Sequence, residues 1–176
     1  MRKNVTSIHV RAISARATRG RLRLGNLDFP CALGRSGRKH LKREGDGATP
    51  VGTFRLERVL YRADRIQRPR TPLPAFHIGA SDGWCETVGD RNYNRQITLP
   101  YPASHELLKR DDRLYDIIVV LSHNQRPRIQ GHGSAVFFHL AREGYAPTAG
   151  CVAVSLRDMR IILQKCGRRT EIVVQS

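Results

Sequence analysis

The sequence predicts a mainly β protein with one C-terminal α-helix and one or two short helices. Apolar residues alternate with polar ones over much of residues 8–33, which is the period of a half-buried strand. Continuous apolar runs at 117–121 and 135–138 are short and are bounded by polar residues, which indicates buried strands. Only one longer segment, residues 156–167, combines helical spacing of apolar residues with a start and a stop signal.

The N-terminal part is predicted to be a β-meander whose arginines face water. Apolar residues occupy every second position at 8–12, 22–24 and 27–33. Turn-forming residues at 18–20 and 25–26 separate the three runs. The alternation therefore predicts three successive antiparallel strands with one buried face.

A glycine-rich segment follows the meander. Residues 34–53 contain many glycines, so they are predicted to form an ordered loop or a set of turns. Phe54 and Leu56 then continue as a strand. The basic, proline-containing stretch 62–74 is predicted to be a loop, and residues 76–78 a short strand.

The central segment is polar and rich in turn formers. Residues 81–94 are predicted to be a loop, with Trp84 and Tyr93 as its anchors. Ser104 can cap a helix, and a short helix is therefore predicted over residues 105–109.

The C-terminal part carries the strongest secondary-structure signals. Residues 116–121, 134–140 and 151–155 are predicted to be strands. Ser155 and Asp158 have the spacing of a capping box, and the helix that they start should end at Gly167. Residues 171–175 are predicted to close the fold as a final strand.

Length and composition predict one domain spanning residues 1–176. The chain has 31 basic and 15 acidic residues, which gives a net charge of +16. Such a surface attracts polyanions, and the two candidates are an anionic wall polymer and nucleic acid. Nucleic acid is not favoured, because no recognition motif accompanies the charge. The alternative is a solvated basic surface that reflects only a bias toward arginine.

The cysteines and the N-terminal segment give little information about the cellular compartment of the protein. The spacing of Cys31, Cys85, Cys151 and Cys166 does not resemble a zinc site, so no metal is predicted. Cys31 and Cys166 are predicted to be core residues, and at most one disulfide can form if Cys151 is free. No apolar run is long enough to span a bilayer. The N-terminal segment does not resemble a signal peptide, so a cytoplasmic location or another export route stays open.

The segment around Gly150 and Cys151 carries the clearest chemical signal. A cysteine directly after a glycine begins a β-like run, and His139 ends another run twelve residues upstream. A thiol nucleophile needs a base within hydrogen-bond reach, which two neighbouring strands can supply. Backbone N–H groups at Gly150 and Cys151 could stabilise an oxyanion. The pattern favours a cysteine acyl-transfer enzyme, although a lone buried cysteine is more often a packing residue.

Three blocks together resemble the YkuD-like catalytic domain of bacterial L,D-transpeptidases. The first, residues 44–54, contains the pattern Gly-Asp-x-x-Thr-Pro-x-Gly; the others are residues 134–139 and 148–155. The likeness extends from about residue 30 to the C-terminus. It is closest to a single-domain branch that also carries the segments 83–85 and 93–95. The resemblance implies a YkuD-like β-sandwich or mixed sheet.

The resemblance also implies site residues and a reaction. Cys151 would be the nucleophile and His139 the general base and later acid, with the Leu140 carbonyl orienting the imidazole. The substrate would be a peptidoglycan tetrapeptide stem, attacked at its L-centre–D-Ala bond. Transfer of the thioacyl group to an amine would give a 3→3 cross-link or an exchange product. No cofactor is implied, and this function would place the protein in the periplasm or cell envelope.

Further residues are candidates for substrate binding. They are Thr148, Trp84, Tyr93, Arg95 and His132. Each has a plainer explanation: Thr148 could shape a turn, Trp84 could pin a loop, and His132 could be an exposed loop histidine. A nearby imidazolium and the basic surface are expected to favour the Cys151 thiolate.

Two other functions remain open from the sequence. One is a cysteine hydrolase on the same fold that trims stem peptides without joining them. The other is a basic polyanion-binding module that has lost catalysis.

Overall fold

The computed structural model describes residues 5–176, which form fourteen strands, one α-helix and one 3₁₀ turn. Residues 1–4, which belong to the segment compared above with a signal peptide, lie outside the described residues. The strands are β1 Val5–Ala12, β2 Arg19–Leu24, β3 Leu27–Ala32, β4 Arg38–Lys39, β5 Thr49–Pro50, β6 Gly52–Tyr61, β7 Ala75–His77, β8 Asp82–Cys85, β9 Gln96–Thr98, β10 His105–Leu107, β11 Ile117–Leu121, β12 Phe137–Leu140, β13 Val152–Val154 and β14 Cys166–Val174. The helix α1 covers Leu156–Lys165, and the 3₁₀ turn covers Glu143–Tyr145.

The main sheet has nine strands in the order β11-β12-β13-β3-β2-β1-β14-β6-β7. A further antiparallel pairing of β11 with β6 closes eight of these strands into a ring. The mainly β prediction is thus confirmed. The predicted meander is present as β1, β2 and β3, whose antiparallel registers pair Val10 with Leu22 and Leu22 with Phe29.

The ring encloses the larger of two cores. Alternate residues of its strands point inward and are fully buried, including Ile8, Leu22, Val119 and Phe138. The helix contributes Met159, Ile162 and Leu163 to the same core. Each fully buried side chain of this kind contributes about 1.5–3 kcal/mol. The alternation of apolar and polar residues that predicted the strands therefore corresponds to side chains that point in turn into this core and away from it.

Helix α1 begins where the capping signal placed it. The Ser155 hydroxyl accepts a hydrogen bond from the Asp158 amide at 3.1 Å. The helix ends at Lys165, two residues before the predicted stop at Gly167. Cys166 is already extended (φ −71°, ψ 153°), and β14 begins there and pairs with β1. Strand pairing therefore ends the helix before the glycine is reached.

A smaller sheet, in the order β10-β8-β9, covers the outer side of β11 and β12. A second core lies between the two layers and contains Trp84, Tyr115, Ile118, Phe137 and Cys151. The Trp84 and Phe137 rings meet edge to face, with centroids 5.0 Å apart. The candidate cysteine therefore lies outside the ring, in the layer between the two sheets.

The prediction of a short helix over residues 105–109 was wrong. His105, Glu106 and Leu107 form β10 and pair with Cys85, Trp84 and Gly83 of β8. A five-residue segment is too short to repay the cost of helix nucleation. These backbone groups pair instead with β8, on the side that β9 does not occupy. Strand β8 itself lies inside the segment that was predicted to be a loop.

The four cysteines are buried and free. The one disulfide left open by the sequence is thus not formed. Burial raises the pKa of Cys31 and of Cys166 to about 12, which keeps these thiols protonated. Among residues 5–176, no helix is long and apolar enough to cross a membrane.

We expect Phe138→Ala to lower the free energy of unfolding by about 3–5 kcal/mol, because it opens a cavity inside the ring. Urea unfolding would measure the change. Phe76→Ala is the matched control, since Phe76 is 54% exposed. Equal losses in the two variants would contradict the assignment of the main core.

Candidate active site

The turn before β13 is held by Thr148. Its hydroxyl donates to the Cys151 carbonyl at 2.7 Å and accepts from the Gly150 amide at 3.1 Å. Its backbone amide donates to the Leu33 carbonyl, and its carbonyl accepts from the Arg35 amide, both at 2.9 Å. Thr148 therefore fixes the turn that presents Cys151, and its hydroxyl is fully used within that turn.

Gly150 is required at its position for two reasons. Its φ of 138° lies in a region that side-chain-bearing residues rarely adopt. A Cβ atom there would also lie 2.8 Å from the Ala48 carbonyl oxygen. The close approach joins the Cys151 turn to the segment 44–54.

The Cys151 thiol is nearly buried, with 8% of the residue exposed. Its Sγ atom accepts a hydrogen bond from the Phe137 amide and donates one to the Ala135 carbonyl, both at 3.3 Å. These contacts hold the sulfur against β12. A donated S–H bond is the arrangement of a resting thiol.

His139 lies on β12, on the same outward side as Cys151. The parallel register pairs Phe138 with Val152 and His139 with Ala153, so Cys151 lies one step before this pairing, opposite Phe137. His139 Nδ1 is 2.9 Å from the Leu140 carbonyl oxygen. Because a carbonyl only accepts, Nδ1 carries the proton and Nε2 presents its lone pair.

The two side chains line one cavity of about 480 Å³. Charged residues of both signs surround it: the basic Arg35, Lys42, Arg110 and Arg142, and the acidic Glu44, Glu86 and Glu106. A cavity of this size can enclose part of a peptide. The described residues contain no group of three or more His, Cys, Asp or Glu side chains placed to hold a metal ion.

One wall of the cavity is a network around Tyr115. Its ring meets the His139 ring edge to face at 5.3 Å, and its hydroxyl donates to the Glu106 carboxylate. Arg110 lies over the face of Tyr115 at 5.1 Å and 3.6 Å from the Glu106 carboxylate. The network restrains the imidazole on the side away from β13.

The opposite wall is built by the segment that contains the Gly-Asp-x-x-Thr-Pro pattern. The Asp46 carboxylate binds the buried Lys42 ammonium and accepts from the amides of Arg43 and Ala48 at 3.0 and 2.9 Å. Thr49 accepts from the Gly34 amide at 2.8 Å. The pattern therefore shapes a loop that places one cation, Lys42, beside the Cys151 turn.

Burial controls the protonation of the pair. It lowers the pKa of His139 to about 4, partly offset by the bond to the Leu140 carbonyl. It raises the pKa of Cys151 to about 12, with the Phe137 amide acting in the opposite direction. Both groups are therefore neutral near pH 7. The expectation of a resting thiolate beside an imidazolium was wrong, because desolvation outweighs the effect of Lys42 on the thiol. Desolvation and the nearby Arg110 and Arg142 both lower the pKa of the imidazole.

Four of the proposed substrate-binding residues lie outside this cavity. Trp84 is buried and donates its indole N–H to Asn94 at 2.9 Å, so it anchors the small sheet. Tyr93 is buried and donates its hydroxyl to Glu44, which does line the cavity. Arg95 is exposed elsewhere on the surface. His132 lines a separate cavity of about 240 Å³.

Several cavity residues were not predicted from the sequence, notably Lys42, Glu106, Arg110, Tyr115 and Arg142. No local pattern distinguishes them from the many other charged residues of this chain. The acidic residue nearest the pair, Glu106, lay in the segment wrongly predicted to be helical. A strand prediction for residues 105–107 would have shown that Glu106 could face the cleft.

A nearly buried thiol and an imidazole with a free Nε2, sharing one cavity, are typical of enzymes that use a cysteine nucleophile. The model of the YkuD family, the L,D-transpeptidase catalytic domain, matches residues 12–174. The chain belongs to this family, whose members are cysteine-dependent enzymes that act on the cell wall. The match starts earlier than the expected residue 30 and includes β2 and all of β3. No curated protein and no solved structure matches the chain significantly.

We expect the acylation of Cys151 by a penem β-lactam to keep a nearly constant rate from pH 5 to pH 9. The base must be neutral, and its folded-state pKa is about 4, so the rate should fall only as the pH drops through about 4. The measurement is the rate of adduct formation by intact-protein mass. A fall near pH 6.5 would instead indicate a base with the ordinary pKa of histidine, and a tenfold rise per pH unit above pH 7 would indicate that a free thiolate reacts without the base.

We expect Thr148→Val to slow the same acylation by about tenfold to a hundredfold. The change removes the two hydrogen bonds that the hydroxyl makes within the turn, while the side chain keeps its size. Thr148→Ser keeps the hydroxyl and is the control, so its rate should stay near that of the unmodified protein. Equal rates in both variants would show that the turn does not depend on this hydroxyl.

Proposed function

We propose that this protein is a peptidoglycan L,D-transpeptidase that uses Cys151 as its nucleophile and His139 as its base. The observation that carries the proposal is the shared cavity, into which the thiol and the imidazole both open from adjacent parallel strands. Membership of the family supports the substrate class. The remaining steps follow from the geometry of the pair.

Acylation begins from the neutral pair. His139 Nε2 takes the thiol proton as Sγ attacks the carbonyl of the L-centre–D-Ala bond in a tetrapeptide stem. The imidazolium then gives this proton to the amine of D-Ala, the C–N bond breaks, and a thioester remains on Cys151. The bond from Nδ1 to the Leu140 carbonyl keeps Nε2 turned toward the reacting atoms.

Transfer reverses the same proton movements. The side-chain amine of a second stem attacks the thioester, and His139 takes its proton. The sulfur leaves and regains a proton, and an amide links the two stems. With a diamino acid as the acceptor, the product is a 3→3 cross-link.

Fewer backbone amides are available to bind the oxyanion than the sequence indicated. The Gly150 amide is already bonded to Thr148, so it is not available to a tetrahedral intermediate in this arrangement. We therefore assign the Cys151 amide as the backbone donor. Lys42, beside the same turn, adds a fixed positive charge that favours the developing negative charge.

The charges of the cavity support a carboxylate-bearing peptide as substrate. Arg35, Arg110 and Arg142 line it together with Lys42. Guanidinium groups bind carboxylates in bidentate geometry. The stem has free carboxylates on both sides of the attacked bond. Such a substrate places the protein at the cell envelope.

The test uses two measurements on the purified protein. A penem should add one covalent adduct to the unmodified protein and none to Cys151→Ser. Incubation with a disaccharide tetrapeptide should then give a dimer that has lost one D-Ala, with the yield falling at least a hundredfold in His139→Ala.

Other outcomes separate the alternatives. A shortened monomer without any dimer would indicate a cysteine hydrolase on the same fold. An adduct on both the unmodified protein and Cys151→Ser would overturn the nucleophile. No adduct and no product, with retained binding to anionic polymers, would indicate a binding module without catalysis.

A further inference from the structure

The outer face of β1 and β2 carries basic residues that the proposed reaction does not use. We define the arginine face as Arg19, Arg21 and Arg23 of β2 with His9 and Arg11 of β1. Residues of a strand that are two apart point to the same side. Leu22 and Leu24 point into the ring, so the three arginines of β2 point outward and are exposed.

The register brings like charges together on this face. Arg11 lies directly opposite Arg21. Like charges in directly opposed positions destabilise an antiparallel pair. The arrangement is therefore unfavourable for the isolated protein, and an anionic partner would relieve it.

The neighbouring residues offset little of this charge. Arg21 pairs with Asp28 at 2.6 Å. Arg11 contacts the neutral side chain of Gln175, and Arg23 donates to the Gly25 carbonyl at 3.2 Å. One carboxylate thus serves three arginines around a groove of about 820 Å³ that the face lines.

Arg19, the one residue of the arginine face that does not line the groove, lies in the same row across the sheet as His139. His139 pairs with Ala153, Ala153 with Ala32, and Ala32 with Arg19. Three strand spacings of about 4.8 Å place Arg19 about 14 Å from His139 across the sheet. Because eight strands close the ring, three or four steps carry the face to a side of the ring that points away from the cleft, so a polymer bound at both must curve around the ring.

The chemistry of the groove favours a peptide-bearing polymer over nucleic acid. No Phe, Tyr or Trp lines it to stack on bases. Its lining combines guanidinium groups with polar and acidic side chains, namely Ser7, Asn26, Asp28 and Gln175. Such a mixture can pair with carboxylates, amides and ammonium groups, all of which occur in stem peptides.

We propose that the arginine face is a second, non-catalytic binding site for the carboxylates of peptidoglycan stems. It would hold a stretch of wall polymer on another side of the ring while Cys151 acts on another stem. The proposal rests on the proposed function for the identity of the polymer. Such a site would increase the turnover of insoluble wall material, and it would not change the reaction at Cys151.

The experiment measures co-sedimentation of the full chain with purified sacculi. The variant Arg11→Gln/Arg21→Gln/Arg23→Gln should bind about tenfold more weakly, since each lost exposed ion pair contributes a few-fold. The control Arg157→Gln/Arg160→Gln/Arg168→Gln removes the same charge from exposed positions on α1 and β14. It should bind nearly as well as the unmodified protein.

Two further arms test the chemistry. Sacculi whose carboxylates have been amidated should bind the unmodified protein about as weakly as the arginine-face variant binds untreated sacculi. Turnover of a soluble disaccharide tetrapeptide should be unchanged in the variant, because no residue of the face lines the catalytic cavity.

The outcomes distinguish the two proposals. Equal loss of binding in both triple variants would overturn the site, because net charge alone would then explain it. If the arginine-face variant lost binding to an oligonucleotide but bound sacculi as well as the unmodified protein does, the proposal would be overturned in favour of nucleic acid. If the soluble substrate is not turned over although the face binds sacculi, the proposed function fails and the binding site stands.

Discussion

The parallel register of β12 and β13 is the constraint on which the candidate site depends. Pairing of Phe138 with Val152 turns both residues into the ring, where they are buried. The same pairing turns His139 and Cys151 outward, two residues apart in register on adjacent parts of the sheet. A slip of one residue in either strand would bury one reacting group in the main core. The hydrophobic effect that fills the ring therefore also sets the relative positions of Cys151 and His139.

The second layer determines the protonation of that pair. The small sheet packs Trp84 against Phe137, and the Tyr115 network closes over His139. Removing water raises the cost of any charge, so the thiol stays neutral despite the nearby Lys42, and the imidazole stays neutral with the help of nearby arginines. Charge then has to develop during the reaction, where the Cys151 amide and Lys42 are already in place. Surface charge and site charge are thus separate features of this protein.

The sequence predicted the parts of the fold that local patterns control. Alternation at residues 8–33, the apolar run before His139, the β-like run after Cys151, and the Ser155 cap each correspond to an observed element. The helix over residues 105–109 was wrong because its backbone pairs with β8, which lies twenty residues away in the chain. Lys42, Glu106 and Tyr115 were missed for the same reason: segments far apart in the chain bring them to one cavity. Local sequence indicated the candidate thiol and imidazole, but not the surroundings that control their protonation.

The close approach of Ala48 to Gly150 explains physically why the three sequence blocks occur together. The block at residues 44–54 contains no reacting atom, yet its Asp46 fixes the loop whose Ala48 carbonyl would lie 2.8 Å from any Cβ at position 150. Gly150 must therefore lack a side chain, and its turn must keep the conformation that Thr148 holds. The conformation of this turn sets the position of Cys151 relative to β12 and His139. The three blocks are thus three contacting parts of one site, and a substitution in the first should affect reactivity at Cys151 without touching the substrate.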